Sequence, residues 1–376
     1  VTRVVVIGAG IVGASAAYHL AASGADVVIV DDGRPERATS AGAGIIAPVS
    51  TREFAEERVR YAFACAAHYL ELVERFEENG LDDHSYGATG ELIVALDEDE
   101  VKRLEIVRER ASAFTARLGT VGVGSPELLS QAEIARRFPR VSTALGGVWL
   151  PDVARVDGRV MCSLLTTMAV RNGARVVEAP GELVLSGSQV RGVHAGGELL
   201  ECDQVVLAAG VWAKDLAAVA GVDLALYPQR GQIVHLRTPG GSQLPVLITF
   251  RGHYLLSFPG DRVVIGATRE DDSGFAAHPT AGGIDAVIRQ GLSVVPSLSD
   301  AEWLEVRVGI RPASLDGEPY LGHAPGVEGL WLATGFGPQG LTLGPYSGKM
   351  IAASILGERA EIPGAFAADR TVALDR

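Results

Sequence analysis

The stretch Val4–Asp31 reads VVVIGAGIVGASAAYHLAASGADVVIVD, and the order of its parts decides the fold. Val4 to Ile7 is an apolar, β-branched run of the kind found in strands buried on both faces. Gly8, Gly10 and Gly13 complete a Gly-x-Gly-x-x-Gly pattern. The first glycine permits a tight turn, the second lets a pyrophosphate approach the backbone, and the third lets helix and strand pack closely. Ile11 and Val12 then lead into Ala14–Ala22, a strong helix former whose first N–H groups and positive dipole end would face the pyrophosphate. Val27 to Val30 is a second buried strand. It ends in Asp31, followed by Asp32, about twenty residues on, where an acid accepts hydrogen bonds from an adenosine ribose. An ordinary strand–helix–strand unit with glycine turns does not explain three glycines and a terminal acid together. The stretch reads as a dinucleotide site.

The rest of the composition bounds the class. A chain of 376 residues has room for two domains, each with its own core. Its net charge of −13 argues against nucleic acid and anionic membrane surfaces as partners. No apolar run reaches the roughly 20 residues that a bilayer span requires. The first strand begins almost at residue 1, so no signal peptide is expected. Cys65, Cys162 and Cys202 are few, odd in number and far apart, which suits reduced core thiols rather than a disulfide framework or a metal site. A cytoplasmic protein is expected, and a homo-oligomer is left open.

Along the chain, the loop Gly33–Pro48 is rich in small residues and carries Arg37, Thr39 and Ser40. Such a loop can lie flat on a planar ligand and donate to phosphate. Helical spacing covers 53–80, 98–118, 159–172 and 284–292, with a capped helix at 130–138 and a final helix near 347–356. Short strands are expected at 91–96, 147–150, 174–178, 183–185 and 189–194. The run 203–212 is a buried strand ending in the small residues Ala209 and Gly210 before Trp212, where backbone must come close to something bulky. Residues 226–268 alternate in period two, as in an antiparallel sheet, and buried-strand character returns at Leu330. The expected architecture is α/β: a discontinuous Rossmann-like nucleotide domain (1–88, 147–222 and 309–376) with an inserted substrate domain (89–146 and 223–308) built on a mostly antiparallel sheet.

Four separated stretches together resemble the flavin-dependent D-amino-acid oxidase, glycine oxidase and sarcosine oxidase superfamily. They are the N-terminal glycine motif, Ala38–Gly44, Leu207–Trp212, and Gly309–Gly322 with its glycine-rich sequel. Glycine oxidase looks closest, because Gly-Ile-Arg-Pro followed by Asp-Gly-x-Pro is typical of it. The resemblance implies FAD, with its ADP half on the glycine loop and Asp31. It places Thr39, Ser40, Ala43, Gly44, Ile45 and Ile46 along the pyrophosphate and flavin ring, and a backbone contact to adenine at Glu182. It also places Gly337, Pro338, Gln339, Gly340, Leu341 and Thr342 around the flavin pyrimidine edge, where N–H dipoles stabilise developing negative charge.

The same resemblance assigns Arg311 to the substrate carboxylate, which a planar guanidinium holds with two hydrogen bonds. Tyr254 would assist. Apart from the resemblance, Arg52 could supply a further cation, although one arginine on a polar segment is usually solvated, and Ile46 and Phe336 would line an apolar space. Relatives carry additional cations where this chain has Pro338 and Thr342, and a flavin-linking cysteine where it has Gly309, so non-covalent FAD is expected. The activity implied is oxidation of glycine, an N-substituted glycine with one carboxylate, or a small D-amino acid. The imine formed would hydrolyse, and O2 would be reduced to H2O2. A dehydrogenase passing electrons to a quinone or carrier, and a flavin-binding protein without turnover, are the alternatives.

Overall fold

The computed structural model describes residues 1–48, 55–118, 124–370 and 372. Strand Arg3–Ile7 lies within a six-stranded sheet, flanked by parallel neighbours Asp26–Asp31 and Gln204–Leu207. Arg175–Glu178 extends the sheet in parallel on one side and Leu330–Thr334 on the other, and Tyr320–His323 closes that edge antiparallel. Val4, Val5, Val6 and Ile7 are at most 4% exposed, as expected of a strand covered on both faces. The crossover helix Ile11–Ala22 and the C-terminal helix Gly340–Ile355 cover one face. A three-stranded antiparallel sheet (182–186, 189–195 and 198–201) covers part of the other.

The C-terminal helix begins earlier than its sequence suggests, at Gly340 rather than near Ser347, and contains Pro345. Its glycines let it lie against the first helix. A Cβ at Gly348 would sit 2.6 Å from the Ala16 nitrogen, and Ser15 Oγ donates to the Pro345 carbonyl at 2.6 Å.

The second architecture is an eight-stranded sheet in the order 302–314, 226–237, 262–266, 254–258, 246–249, 91–95, 146–150, 127–130. All its pairings are antiparallel except that between 246–249 and 91–95. Two expected domain boundaries fall inside its strands. Gly146–Leu150 is hydrogen-bonded along its length to Glu91–Ala95, and Glu302–Ser314 to Leu226–Arg237, so a cut at 147 or 309 divides a continuous ladder. The capped helix appears at Gln131–Arg137, with Ser130 and Glu133 forming a reciprocal capping box.

Two ties fix the sheets to one another. The Ile310 N–H donates to the Glu36 carbonyl at 2.9 Å, joining the edge strand of the eight-stranded sheet to the loop after Asp31. Asp157, which caps helix Gly158–Arg171, pairs with Arg262 at 2.9 Å and Arg307 at 3.6 Å on the eight-stranded sheet. Among the described residues, no helix is long and apolar enough to cross a membrane.

Candidate active site

The turn after strand Arg3–Ile7 sits at the carboxyl ends of the parallel strands, where the neighbours diverge to either side. Ligands bind in that crevice in open α/β sheets. Gly8 has φ +103°, and a Cβ there would come within 2.5 Å of the Ala208 carbonyl oxygen. At Gly13 a Cβ would lie 1.9 Å from the Gly8 oxygen, so the helix can pack this close to the turn only without a side chain. No side chain of the preceding residue caps the helix; instead, Thr39 Oγ1 accepts from the Ile11 N–H at 3.1 Å.

Asp31 is held rather than loose. Its carboxylate accepts from the Ala9 N–H at 2.5 Å and the Gly33 N–H at 2.8 Å, and Arg37 pairs with it at 3.3 Å. Asp32 pairs with Arg34, whose guanidinium lies 4.8 Å from the centre of the Trp212 ring.

From this turn a cavity of about 400 Å³ runs to the eight-stranded sheet. Many of the sequence-selected residues line it: Gly8, Gly10, Ile11 and Val12; Asp31, Asp32, Arg37 and Thr39; Ala43, Gly44 and Ile45; Ala209, Gly210 and Trp212. Where it reaches that sheet it meets Tyr254 and Arg311, and Phe336, Gly337, Pro338, Gly340 and Leu341 also line it.

Several expected residues are absent from this lining, each for a local reason. Gly13 faces the Gly8 turn. Ile46 follows Ile45 in a two-residue strand and therefore points the other way, into the core at 1% exposure. Ser40 is off the lining, and its carbonyl accepts from Arg159 Nε at 3.0 Å. Glu182 opens a strand with its side chain exposed, and the cavity wall there is Ala179, Pro180 and Gly181. Gln339 Oε1 accepts from Arg58, while the Thr342 hydroxyl donates to the Ile45 carbonyl at 2.9 Å. Arg52 lies outside the described residues.

The far end is built on the eight-stranded sheet. Arg311 pairs in register with Gln229 and lies across Gly231, where a Cβ would be 2.2 Å from its guanidinium. Tyr254 similarly lies over Gly266, where a Cβ would meet its ring at 2.5 Å. A glycine inside a strand often marks such a close approach.

Arg311 Nη1 donates to Gln229 Oε1 at 3.2 Å, to the Thr268 carbonyl at 3.1 Å and to the Arg230 carbonyl at 3.5 Å. Gln229 is itself fixed through Nε2 to Asp271 at 2.6 Å. Among the described residues no carboxylate lies within ion-pair distance of Arg311, so it is not spent on an internal salt bridge. Burial draws its pKa below the usual arginine value, partly offset by Tyr254, Glu270 and Asp271. Burial also raises the Tyr254 phenol, against the opposing pull of Arg311 and Arg269, so it stays protonated and able to donate.

Sequence reasoning missed Arg269, which lines the same end of the cavity, and Arg34 at the opposite end. The donor set fits FAD. A glycine turn and a helix start that lacks its own side-chain cap suit a pyrophosphate, Asp31 suits a ribose, and the small residues Ala333, Gly337 and Gly340 leave backbone accessible for a ring system. None of the three cysteines lines the cavity.

Comparison with known proteins agrees with this geometry. The family model described as FAD dependent oxidoreductase matches residues 3–354. The uncharacterized oxidoreductase YurR of Bacillus subtilis is 34% identical over 361 residues, 95% of this chain and 96% of its own. The crystal structure of iminodiacetate oxidase from Chelativorans sp. BNC1 superposes with a TM-score of 0.90 at 37% identity, covering 97% of this chain and 98% of that one. Glycine oxidase from Geobacillus kaustophilus gives a TM-score of 0.88 at 26% identity, covering 99% and 100%.

Proposed function

Since the chain belongs to the FAD-dependent oxidoreductase family, as an amine-oxidising enzyme close to glycine oxidase, we propose that it oxidises the Cα–N bond of glycine, an N-substituted glycine or a small D-amino acid. The observation that carries this reading is Arg311. Its guanidinium is anchored through one nitrogen by neutral oxygens, lines the cavity, and has no carboxylate of the described residues within ion-pair distance. A partly buried cation without a counter-ion is costly, and a substrate carboxylate supplies the missing charge.

Gln229, Thr268 and Arg230 fix the guanidinium plane, and the protonated Tyr254 phenol donates a second hydrogen bond to the same anion. Together they would hold the substrate Cα at the end of the cavity lined by Phe336, Gly337, Pro338 and Gly340. The chemistry that FAD supplies when bound is two-electron acceptance: a Cα hydride and the nitrogen proton leave, and the resulting imine takes up water to give an oxo acid and an amine, with O2 carrying the electrons to H2O2. No side chain is required as general base if the amine enters neutral. The solved relatives named glycine oxidase and iminodiacetate oxidase support this substrate class.

The test is peroxide release from the purified flavoprotein over a panel of glycine, sarcosine, longer N-alkylglycines, iminodiacetate and D-alanine. Loss of a desolvated charge partner costs roughly 2 to 5 kcal/mol, so Arg311→Ala should lower kcat/KM by about two orders of magnitude or more. Arg311→Lys should recover only part, because an ammonium cannot make the paired hydrogen bonds. Dye reduction without peroxide would point to a dehydrogenase, and silence across the panel would refute the reading.

A further inference from the structure

Arg311 stands directly opposite Gln229 in the ladder between Glu302–Ser314 and Leu226–Arg237, so the two side chains leave the sheet on the same face. Gln229 is buried and does not line the cavity, so it acts on the site through Arg311. Its amide has two unlike ends. Oε1 accepts from Arg311 Nη1 at 3.2 Å, and Nε2 donates to Asp271 Oδ1 at 2.6 Å. Asp271 is exposed and opens the turn Asp271–Ser273. Backbone hydrogen bonds of 3.0 Å in both directions between Glu270 and Arg230 fix that turn to the strand beside Gln229. The Tyr227 hydroxyl, on the same strand, donates to the same carboxylate.

An amide can turn end for end with almost no change of shape. Turned over, Gln229 would set its NH2 group against the guanidinium, donor against donor. An ionised carboxylate only accepts, so Asp271 admits the one orientation that presents oxygen to Arg311. The hydrogen bonds of Arg311 among the described residues all leave from Nη1, and a guanidinium held by that nitrogen keeps Nη2 and Nε for a ligand.

We propose that Gln229 and Asp271 are positioning residues for Arg311: the exposed Asp271 locks the Gln229 amide, and the locked amide holds the guanidinium in the orientation that takes the substrate carboxylate. This rests on the assignment of Arg311 to that carboxylate. The relay and simple electrostatics give opposite signs for one substitution. Asp271 carries a negative charge whose field reaches Arg311. If that field were its whole effect, removing it would tighten anion binding; through the relay, removal weakens it.

The test titrates the holoenzyme with methoxyacetate, a carboxylate with an ether oxygen in place of the amine, and reads the flavin absorbance. KM and kcat for the most active amine of the panel are measured alongside. Asp271→Ala should weaken methoxyacetate binding about tenfold and raise KM by a similar factor, with kcat changed less, as expected for one charge-assisted hydrogen bond. Asp271→Asn should restore most of the affinity, because its amide oxygen still accepts from Gln229 Nε2. In a Gln229→Leu background, itself weakened, Asp271→Ala should add nothing, because the path to Arg311 is already cut. Binding that is unchanged or tighter in Asp271→Ala, equal weakening by Asn and Ala, or an undiminished effect in the Gln229→Leu background overturns the proposal. If methoxyacetate does not bind the unmodified enzyme, or its binding survives Arg311→Ala, the Arg311 assignment fails instead and this inference falls with it.

Discussion

Glu91 offers a direct test of the physical reasoning, because its environment predicts a pH dependence of known sign. It opens strand Glu91–Ala95 between Val246 and Leu150 and is 2% exposed. By strand alternation it shares a face with Ile93 and Ala95, which pack among Val59, Phe63, Leu256 and Phe258. Among the described residues no hydrogen bond or ion pair reaches its carboxyl group, and burial alone raises its pKa from 4.5 to about 8.

Between those values the unfolded chain releases a proton that the folded chain keeps. Stability is therefore lost as pH rises from about 4.5 to about 8. Each unit corresponds to about 1.4 kcal/mol, so the loss is on the order of a few kcal/mol by pH 8. Glu91→Gln keeps the volume and removes the ionisation. Its unfolding free energy, measured by urea titration of the holoenzyme with tryptophan fluorescence from about pH 5 to 9, should gain on wild type by up to about 1.4 kcal/mol per pH unit. Other titrating groups cancel in the difference. Glu91→Leu should show the same trend without leaving a buried amide. Parallel pH profiles for wild type and both variants would refute the argument, since they would mean that Glu91 titrates normally or finds a partner.

Two further outcomes concern the cofactor. Asp31 holds the glycine turn through the Ala9 N–H and is placed to accept from a ribose, so Asp31→Ala should weaken FAD binding at least about tenfold, charged hydrogen bonds being worth roughly 1.5 to 3 kcal/mol; equal dissociation constants in an apoprotein titration would remove the role. With Gly309 on the cavity wall and no cysteine lining it, acid precipitation should leave all the flavin in the supernatant, and a yellow pellet would show a covalent bond.

The nucleotide half of the fold was legible because each of its devices is local. The strand, turn, helix and acid follow one another within Val4–Asp31, and parallel strands buried on both faces need no alternation to be recognised. The other half depended on long-range partners. Glu302–Ser314 contains Pro312 and reads as a motif rather than a strand, yet it is an edge strand, where a missing N–H is tolerated, and Pro312 stands opposite Pro228 in the ladder. The C-terminal helix begins among Gly340, Gly344 and Pro345, residues that argue for loop on propensity. Packing against the first helix overrides that preference, because small residues there admit the neighbouring backbone.

The site divides in the same way. Arg311 sits in a distinctive run, Gly309-Ile-Arg-Pro, and could be selected from sequence alone. The segment 39–46 could not be resolved residue by residue, because a backbone that presents Ile45 to the cavity must turn Ile46 away, whatever the resemblance assigns to both. Arg269 was invisible for a different reason: its place depends on the register of 262–266 against 226–237, which carries the Thr268 carbonyl to Arg311 and Arg269 to the cavity wall. One signal pointing there was present in the sequence. Gly231 lies inside its strand and Gly266 ends one, and at each a large side chain, Arg311 or Tyr254, lies across the position. Interior strand glycines mark where to look for large polar groups; which group arrives there is fixed only by the ladder that brings the strands together.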